Sequence, residues 1–402
     1  MKDIRTRAVH VAHELEVPAS RPLSVPLVQS SAFAFDSADE LARAMAGPDG
    51  DYVYSRRGNP TVRALERTLA GLEGGASAIA FASGMGAISG VLLALLRPGD
   101  QVIAQRCLYG GTYAALSDLK ERYGVRVDHI GGDDAREFEA LAGPRTRLLV
   151  LETIANPTGQ VPDLPGLLAA ARRLGVTSAV DNSLASPVLC RPIEHGADIV
   201  LHSTTKYLAG HSDVLGGAAV FADDALRREV WPRTVELGAS ADPFAVWLTL
   251  RGIATLPLRM REHCANAGVL AQRLAAHPAV AAVHWPWLGT HPSYAMARKV
   301  LSGGGGAALL RPARRPGGGP RLRRGGAPGA ARALAGRGGD AGHAPRQHLP
   351  PGAGRGGAGA RRHRSGPGPD VGGDRGPGGP LAGRGTGTAI EQTMRSSFGL
   401  TK

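Results

Sequence analysis

One lysine of this chain, Lys206, lies in a setting that a solvated side chain does not need. The segment HSTTKYLAGHSDVLGG, residues 202–217, places it directly after the apolar run ADIVL and the small hydroxyl residues Ser203, Thr204 and Thr205. An amine that is held near a buried strand and away from water becomes a nucleophile near neutral pH. Lys206 is therefore a candidate for covalent chemistry.

Two further features of the sequence are expected at the same place. Asp181 ends an apolar run, and ASGMGAI, residues 82–88, is a small-residue turn before an apolar helix predicted at 87–96. Backbone N–H groups at the start of such a helix are donors for a phosphate. In open α/β sheets, ligands bind outside the carboxyl ends of the strands. We therefore expect a phosphate site, a carboxylate and a reactive amine at one edge of a sheet.

That combination is what pyridoxal phosphate requires from a protein. The cofactor needs a lysine that forms a Schiff base, an acid beside its pyridinium nitrogen and donors for its phosphate. Each feature alone has a simpler structural explanation, because a strand-end lysine is usually solvated and aspartate and glycine commonly form turns. Their order and joint presence favour the cofactor.

The elements that must position these residues alternate between about residues 60 and 220, which is typical of an α/β fold with a large, mostly parallel sheet. Strands are predicted at 100–105, 147–153, 177–182 and 197–203. Helices are predicted from Pro60 to the residue before Gly74, with Val62, Leu65, Leu69 and Leu72 as the apolar stripe, and at 162–175. The predicted organisation is an N-terminal arm (1–50), a cofactor-binding large domain (51–245), the start of a smaller C-terminal domain (246–305) and an aberrant segment (306–402).

Composition excludes several classes of protein. No apolar run approaches the roughly 20 residues of a membrane span, and the first residues lack the apolar core of a secretory signal. The cysteines Cys107, Cys190 and Cys264 have no metal-ligand spacing and form no even disulfide set. His202 and His211 have no acidic or thiol ligands at suitable spacing, so no metal is expected. These features predict a cytoplasmic protein with no membrane partner.

The net charge of +13 is not spread over the fold. Residues 311–388 carry 15 Arg, three Asp and no Lys or Glu, which is +12 of that total. The same segment lacks the aromatic residues that would stack on bases, so no nucleic-acid partner is expected. Gly, Pro, Arg and Ala supply 63 of its 78 positions, and such a composition cannot bury enough apolar surface to fold.

Six segments together resemble the Cys/Met-metabolism pyridoxal-phosphate enzymes, the group of cystathionine γ-synthases, cystathionine lyases and methionine γ-lyases of the aspartate-aminotransferase fold type. The segments are YSRRGNPT (54–61), SGMGAI (83–88), YGGTY (109–113), ETIANPTG (152–159), VDNS (180–183) and HSTTKYLAGHSDVLGG (202–217). The resemblance covers roughly residues 5–305. It implies elimination or replacement at the β- or γ-carbon of a sulfur amino acid or an O-acyl-homoserine.

The resemblance also implies a role for each matching residue. Lys206 would form the Schiff base and later move the α-proton, Asp181 would hold the ring nitrogen protonated, and Tyr109 would stack on the ring. The phosphate would be bound by Ser83, Gly84, Met85, Ser203 and Thr205. Asn156 would lie beside the cofactor and the substrate carboxylate.

Two more residues, Tyr54 and Arg56, would reach the phosphate in the neighbouring subunit, which implies a homodimer or homotetramer with shared active sites. Simpler explanations remain for some members of this set. A core position is the less favoured alternative for Tyr109, and a solvated pair is the less favoured alternative for Arg56 with Arg57.

Two local departures from the family bear on the substrate. Methionine γ-lyases usually carry a cysteine where this chain has Gly111, which argues against that member. Cystathionine-processing members often have an arginine where this chain has Ala114. The choice among γ-synthase, γ-lyase and β-lyase therefore stays open.

The largest departure is the C-terminal segment. The family should supply a "SLGGVE…THPA" segment and then an "R-x-SVG-x-E" segment whose arginine binds the substrate carboxylate, and neither is present. Reading residues 334–350 one base later permits SLGGVETLVTHPASTS, and the same shift at 362–380 permits AIGPGLVRMSVGIEGPED. We therefore interpret the chain as frameshifted from about residues 303–312. The arginine is then encoded across the codons of Pro369 and Asp370, and a chain lacking it is expected to bind cofactor but to turn over poorly.

Overall fold

The structure is a computed structural model that describes residues 3–6, 22–46 and 50–312. The aberrant segment beyond 312 and the frameshift inferred for it lie outside the described residues, as do residues 1–2, 7–21 and 47–49 of the predicted N-terminal arm. No helix in the described part is long and apolar enough to span a membrane.

A seven-stranded sheet forms the centre of the described part. Its strands are β1 (Ser77–Phe81), β2 (Gln101–Gln105), β3 (Arg126–Ile130), β4 (Thr146–Glu152), β5 (Thr177–Asp181), β6 (Ile199–His202) and β7 (Gly217–Phe221). Their order is β1-β7-β6-β5-β4-β2-β3, and β7 alone runs in the direction opposite to the other six strands. This confirms the mostly parallel α/β fold and the four predicted strands.

Helices cover both faces of this sheet and continue beyond it. They are α1 (Ala38–Met45), α2 (Pro60–Glu73), α3 (Gly84–Leu95), α4 (Gly110–Tyr123), α5 (Ala135–Leu141), α6 (Leu164–Arg173), α7 (Ser186–Leu189), α8 (Asp224–Leu237), α9 (Pro243–Ile253), α10 (Leu256–Ala275) and α11 (Tyr294–Val300), with a 3₁₀ turn at Pro192–His195. Strands β8 (Val280–His284) and β9 (Leu309–Pro312) pair as a separate antiparallel sheet. The predicted domain boundaries near 245 and 305 stay predictions.

Strand β4 shows why the central strands are continuous apolar runs. Leu149 and Leu151 pack into the core under α2 and α6, whereas Leu148 and Val150 pack into the core under α3, α4 and α8. Successive side chains of a strand point to opposite faces, so a strand covered on both faces needs apolar residues at every position.

The first helices begin and end where local chemistry dictates. The Asn59 side chain accepts the N–H of Thr61 at the start of α2, and Gly74 ends the helix with φ +81°. The predicted apolar stripe of α2 is buried. Helix α3 begins at Gly84, three residues before the predicted start, because the Ser83 hydroxyl caps it by accepting the N–H of Gly86.

The parallel order brings polar strand ends together. Strands β4, β5 and β6 are neighbours, with Glu152 opposite Asp181 and Asp181 opposite Leu201 in the register. Their carboxyl ends therefore form one continuous edge, and the residues that follow each strand meet there.

Candidate active site

A cavity of about 240 Å³ opens at this edge of the sheet. It is where the structure brings together the predicted site residues Ser83, Gly84, Met85, Tyr109, Asn156, Asp181, Ser203, Thr205 and Lys206. These residues come from five separate stretches of the sequence. Glu152 and Ser183, which the sequence analysis did not single out, also line the cavity.

Tyr54 and Arg56 do not line this cavity. Arg56 donates through Nη1 to the backbone oxygen of Val235 at 3.0 Å, and its guanidinium lies 5.6 Å from the centre of the Tyr54 ring. The Tyr54 ring is exposed. Their inferred contact with a neighbouring subunit stays a prediction.

Lys206 is positioned by a turn that begins as β6 ends. Its backbone N–H donates to the oxygen of Ser203 at 3.2 Å, and its own oxygen accepts the N–H of Gly210 at 2.8 Å. The Ser203 N–H donates to the Ser183 hydroxyl at 2.6 Å, and the Thr205 hydroxyl accepts the N–H of Gly216 at 3.0 Å. The hydroxyl residues before the lysine are thus held beside the cavity by backbone contacts.

The start of α3 forms the donor set of the site. The backbone N–H groups of Gly84 and Met85 lie in the first turn, where a helix has no internal acceptors. A Cβ atom on Gly84 would lie 2.8 Å from the Cβ of Ser203 and 2.9 Å from its hydroxyl oxygen, so only glycine allows this approach. Backbone N–H groups and two hydroxyls within one small space are chemically suited to a phosphate.

Asp181 ends β5 as a half-buried residue whose carboxylate faces the cavity. Burial raises the pKa of Asp181, and hydrogen bonds from Ser183 together with the charge of His202 lower it in part. The Ser183 N–H donates to Asp181 Oδ1 at 2.8 Å. A pyridinium nitrogen beside this carboxylate would supply a positive charge that favours the ionised form. The acidic residue and the phosphate donors therefore both fit pyridoxal phosphate.

Glu152 supplies a second carboxylate at the same edge, and this residue is buried. Burial, together with the nearby charge of Asp181, raises the pKa of Glu152, whereas the hydrogen bonds that its oxygens accept from the backbone N–H groups of Tyr109 and Asn156 lower it in part. The sequence signal that could have identified it is the one that identified Asp181, a polar residue at the end of an apolar strand. Ser183 carried no such signal, because its role depends on contacts with both Asp181 and Ser203.

A polar network lies under the strand ends that carry the site. Glu73 lies at the end of α2, and its Oε1 is 2.6 Å from His202 Nε2. The same oxygen accepts a hydrogen bond from Asn182 Nδ2 at 2.8 Å. Asn182 Oδ1 in turn accepts the hydroxyl of Thr153 at 2.8 Å. Thr153, Asn182 and His202 directly adjoin Glu152, Asp181 and Ser203 in the sequence. The network therefore ties three neighbouring strand ends to α2.

Replacing Glu73 by alanine is expected to lower the free energy of unfolding by roughly 3–5 kcal/mol, because it removes one partner of a fully buried pair and leaves the Asn182 amide with one acceptor fewer. Urea denaturation measures the change. Glu73→Gln keeps an acceptor oxygen and is the matched control, with a smaller expected loss. A Glu73→Ala protein within about 1 kcal/mol of the parent would show that the pair contributes little.

Comparison with known proteins agrees with this geometry. The family profile described as Cys/Met metabolism PLP-dependent enzyme matches residues 5–311. The chain is 41% identical to the L-methionine gamma-lyase of Pseudomonas putida over 75% of this chain and 76% of that protein. It is 41% identical to the cystathionine gamma-synthase of Mycobacterium tuberculosis over 76% of this chain and 77% of that protein.

Solved structures show the same likeness. The cystathionine gamma synthase from Xanthomonas oryzae pv. oryzae in complex with cystathionine superposes with a TM-score of 0.72 at 36% identity, covering 78% of each chain. The cystathionine gamma-lyase from Lactobacillus plantarum complexed with L-serine has a TM-score of 0.73 at 32% identity, covering 79% of this chain and 80% of that one.

Proposed function

Since the chain belongs to the family of Cys/Met metabolism PLP-dependent enzymes, we propose that it catalyses elimination or replacement at the β- or γ-carbon of sulfur amino acids or O-acyl-homoserine. The family makes the chain an enzyme whose cofactor is pyridoxal phosphate. The observation that supports the reaction most directly is the cavity itself, where Lys206, Asp181 and the start of α3 converge.

Bound pyridoxal phosphate supplies an electron sink that stabilises negative charge at the α-carbon of an amino acid. In our proposal Lys206 holds the cofactor through Nζ. When the substrate amino group takes the place of Nζ, the same nitrogen is free to accept the α-proton. Asp181 keeps the proton on the ring nitrogen through its carboxylate. Asp181 ends β5, and Lys206 lies four residues beyond the end of the neighbouring strand β6, so the base and the acid partner lie at the same edge of the sheet.

The remaining cavity residues bind and orient. Gly84 and Met85 donate backbone N–H groups to the phosphate, and Ser203 and Thr205 donate hydroxyls. Tyr109 precedes α4 at the cavity wall with its side chain partly exposed, as a ring that stacks on a ligand requires. Ser83 contributes by capping α3, and Asn156 lies where it can contact the substrate.

Gly111 bears on the choice of substrate. A Cβ atom at this position would lie 2.5 Å from Tyr109 Cε1 and 2.6 Å from Met85 Sδ. The cysteine that methionine γ-lyases usually carry there would require the Tyr109 ring to move. This close packing supports a γ-synthase or a cystathionine lyase over a methionine γ-lyase.

The exposed position of Tyr54 and Arg56 supports an assembly with shared sites. Neither residue contributes to the cavity of its own chain, and an exposed tyrosine beside an arginine is suited to a phosphate in a second copy. We therefore propose a homodimer or homotetramer, and we propose from the sequence composition that it acts in the cytoplasm.

A second candidate is a family member that binds the cofactor but turns over poorly. The observation that favours it is the sequence of residues 311–388, which lacks the R-x-SVG-x-E segment whose arginine is expected to bind the substrate carboxylate. An unpaired substrate carboxylate would lose a bidentate, charge-assisted contact.

One assay separates these candidates. If the first is right, the purified chain loaded with pyridoxal phosphate releases a 2-oxo acid from cystathionine or O-acyl-homoserine, which a coupled dehydrogenase assay detects. Cofactor uptake without 2-oxo acid release would favour the impaired member. Absence of cofactor uptake would contradict both.

A further inference from the structure

We propose that Glu152 is a positioning residue of the candidate active site, which holds the segments carrying Tyr109 and Asn156 against the cavity. The inference rests on the proposed function, because it assigns a use to those two segments. The residue acts through them and not on the reacting atoms.

The contacts of the Glu152 carboxylate carry this inference. Oε1 accepts the backbone N–H of Tyr109, and Oε2 accepts the backbone N–H of Asn156 at 2.8 Å. Tyr109 lies beyond the end of β2, whereas Asn156 lies beyond the end of β4. One side chain therefore links two segments that approach the cavity from different strands.

Glu152 is itself held firmly in place. Its side chain is almost fully buried, with the residue only 4% exposed. Its backbone N–H donates to the side-chain oxygen of Gln105, the last residue of β2, at 3.1 Å. A link between two segments fixes their separation only if it is rigid, and this anchoring provides that rigidity.

Burying a carboxylate here opposes stability, which indicates a use beyond the fold. The half-buried Asp181 lies opposite the buried Glu152 in the sheet register, and two neighbouring carboxylates repel one another. An apolar residue, as at the preceding positions of β4, would avoid that repulsion. The two backbone contacts are what an apolar residue could not supply.

The two contacts require both side-chain oxygens of residue 152 to accept a hydrogen bond. A glutamine has the same size but only one acceptor oxygen, and its NH₂ group would face a backbone N–H donor. Glu152→Gln should therefore keep the packing and release one of the two segments. Because Tyr109 stacks on the cofactor ring in our proposal, releasing its segment will lower the affinity for the cofactor. It will also make the protein environment of the bound ring less asymmetric, which circular dichroism detects.

The test uses the full chain and pyridoxal phosphate itself. Glu152→Gln is expected to bind the cofactor about 10- to 100-fold more weakly, the range for a lost buried hydrogen bond to a charged group. The circular dichroism of the bound cofactor should also fall. Glu66→Gln is the matched control, because Glu66 also accepts a backbone N–H, from Ala80 at 3.0 Å, but lies away from this cavity.

The outcomes are distinguishable. Unchanged affinity and circular dichroism in Glu152→Gln, or equal changes in Glu66→Gln, would overturn the inference alone. Failure of the unaltered chain to take up the cofactor would overturn the proposed function with it. If Glu152→Gln does not fold, Glu152→Asp keeps the charge on a shorter side chain, and a weaker cofactor affinity is again expected; wild-type behaviour of that variant would overturn the inference.

Discussion

Replacing Lys206 by alanine is expected to abolish the visible absorbance of the lysine-bound cofactor and to lower turnover by at least about 10³-fold. The expected loss of turnover is this large because the variant loses both the covalent attachment of the cofactor and the base for the α-proton. Positioned proton transfer alone contributes roughly 10²- to 10⁴-fold to a rate. Absorbance spectroscopy after loading with pyridoxal phosphate measures the first effect, and the 2-oxo acid assay measures the second.

A second lysine provides the control for that experiment. Lys120 lies exposed in the last turn of α4, away from the cavity, and Lys120→Ala should keep both the absorbance and the turnover. Retention of the absorbance in Lys206→Ala would mean that another amine holds the cofactor, and the proposed role of Lys206 would be wrong.

Restoring the shifted reading frame from about residues 303–312 is expected to raise turnover by about 10²-fold or more over the chain as written. The restored segment would supply the arginine encoded across the codons of Pro369 and Asp370, and our proposal assigns to it two charge-assisted hydrogen bonds to the substrate carboxylate. Sequencing the gene across codons 300–390 shows first whether the single-base difference is real. Turnover of the two chains under saturating cofactor then measures its effect.

The restored chain also offers an internal control. Replacing its new arginine by alanine should return turnover towards that of the chain as written, chiefly through a higher KM, since the contact lies on the substrate and not on the reacting carbon. Equal turnover of the restored chain and the chain as written would contradict the role assigned to the segment.

The four predicted strands and the helices α2, α3 and α6 followed from local patterns. Apolar runs such as 147–153 predicted their strands because a strand buried on both faces needs an apolar side chain at every position. Pro60 and Gly74 marked the ends of α2 for backbone reasons that need no tertiary contact. Strands β1, β3 and β7 were not predicted; β3, for example, has only a partly buried pattern, which its place at the edge of the sheet explains.

By itself the sequence identified the family of this protein and its cofactor. Lys206, Asp181 and the small residues before α3 have types and spacing that suit one cofactor, and their motifs fix the family. Only the tertiary structure decided what holds them in place. Glu152 contacts Tyr109 across 43 residues, and Glu73 contacts His202 across 129. Such partners have no local pattern, because their pairing depends on the order in which the strands lie side by side in the sheet.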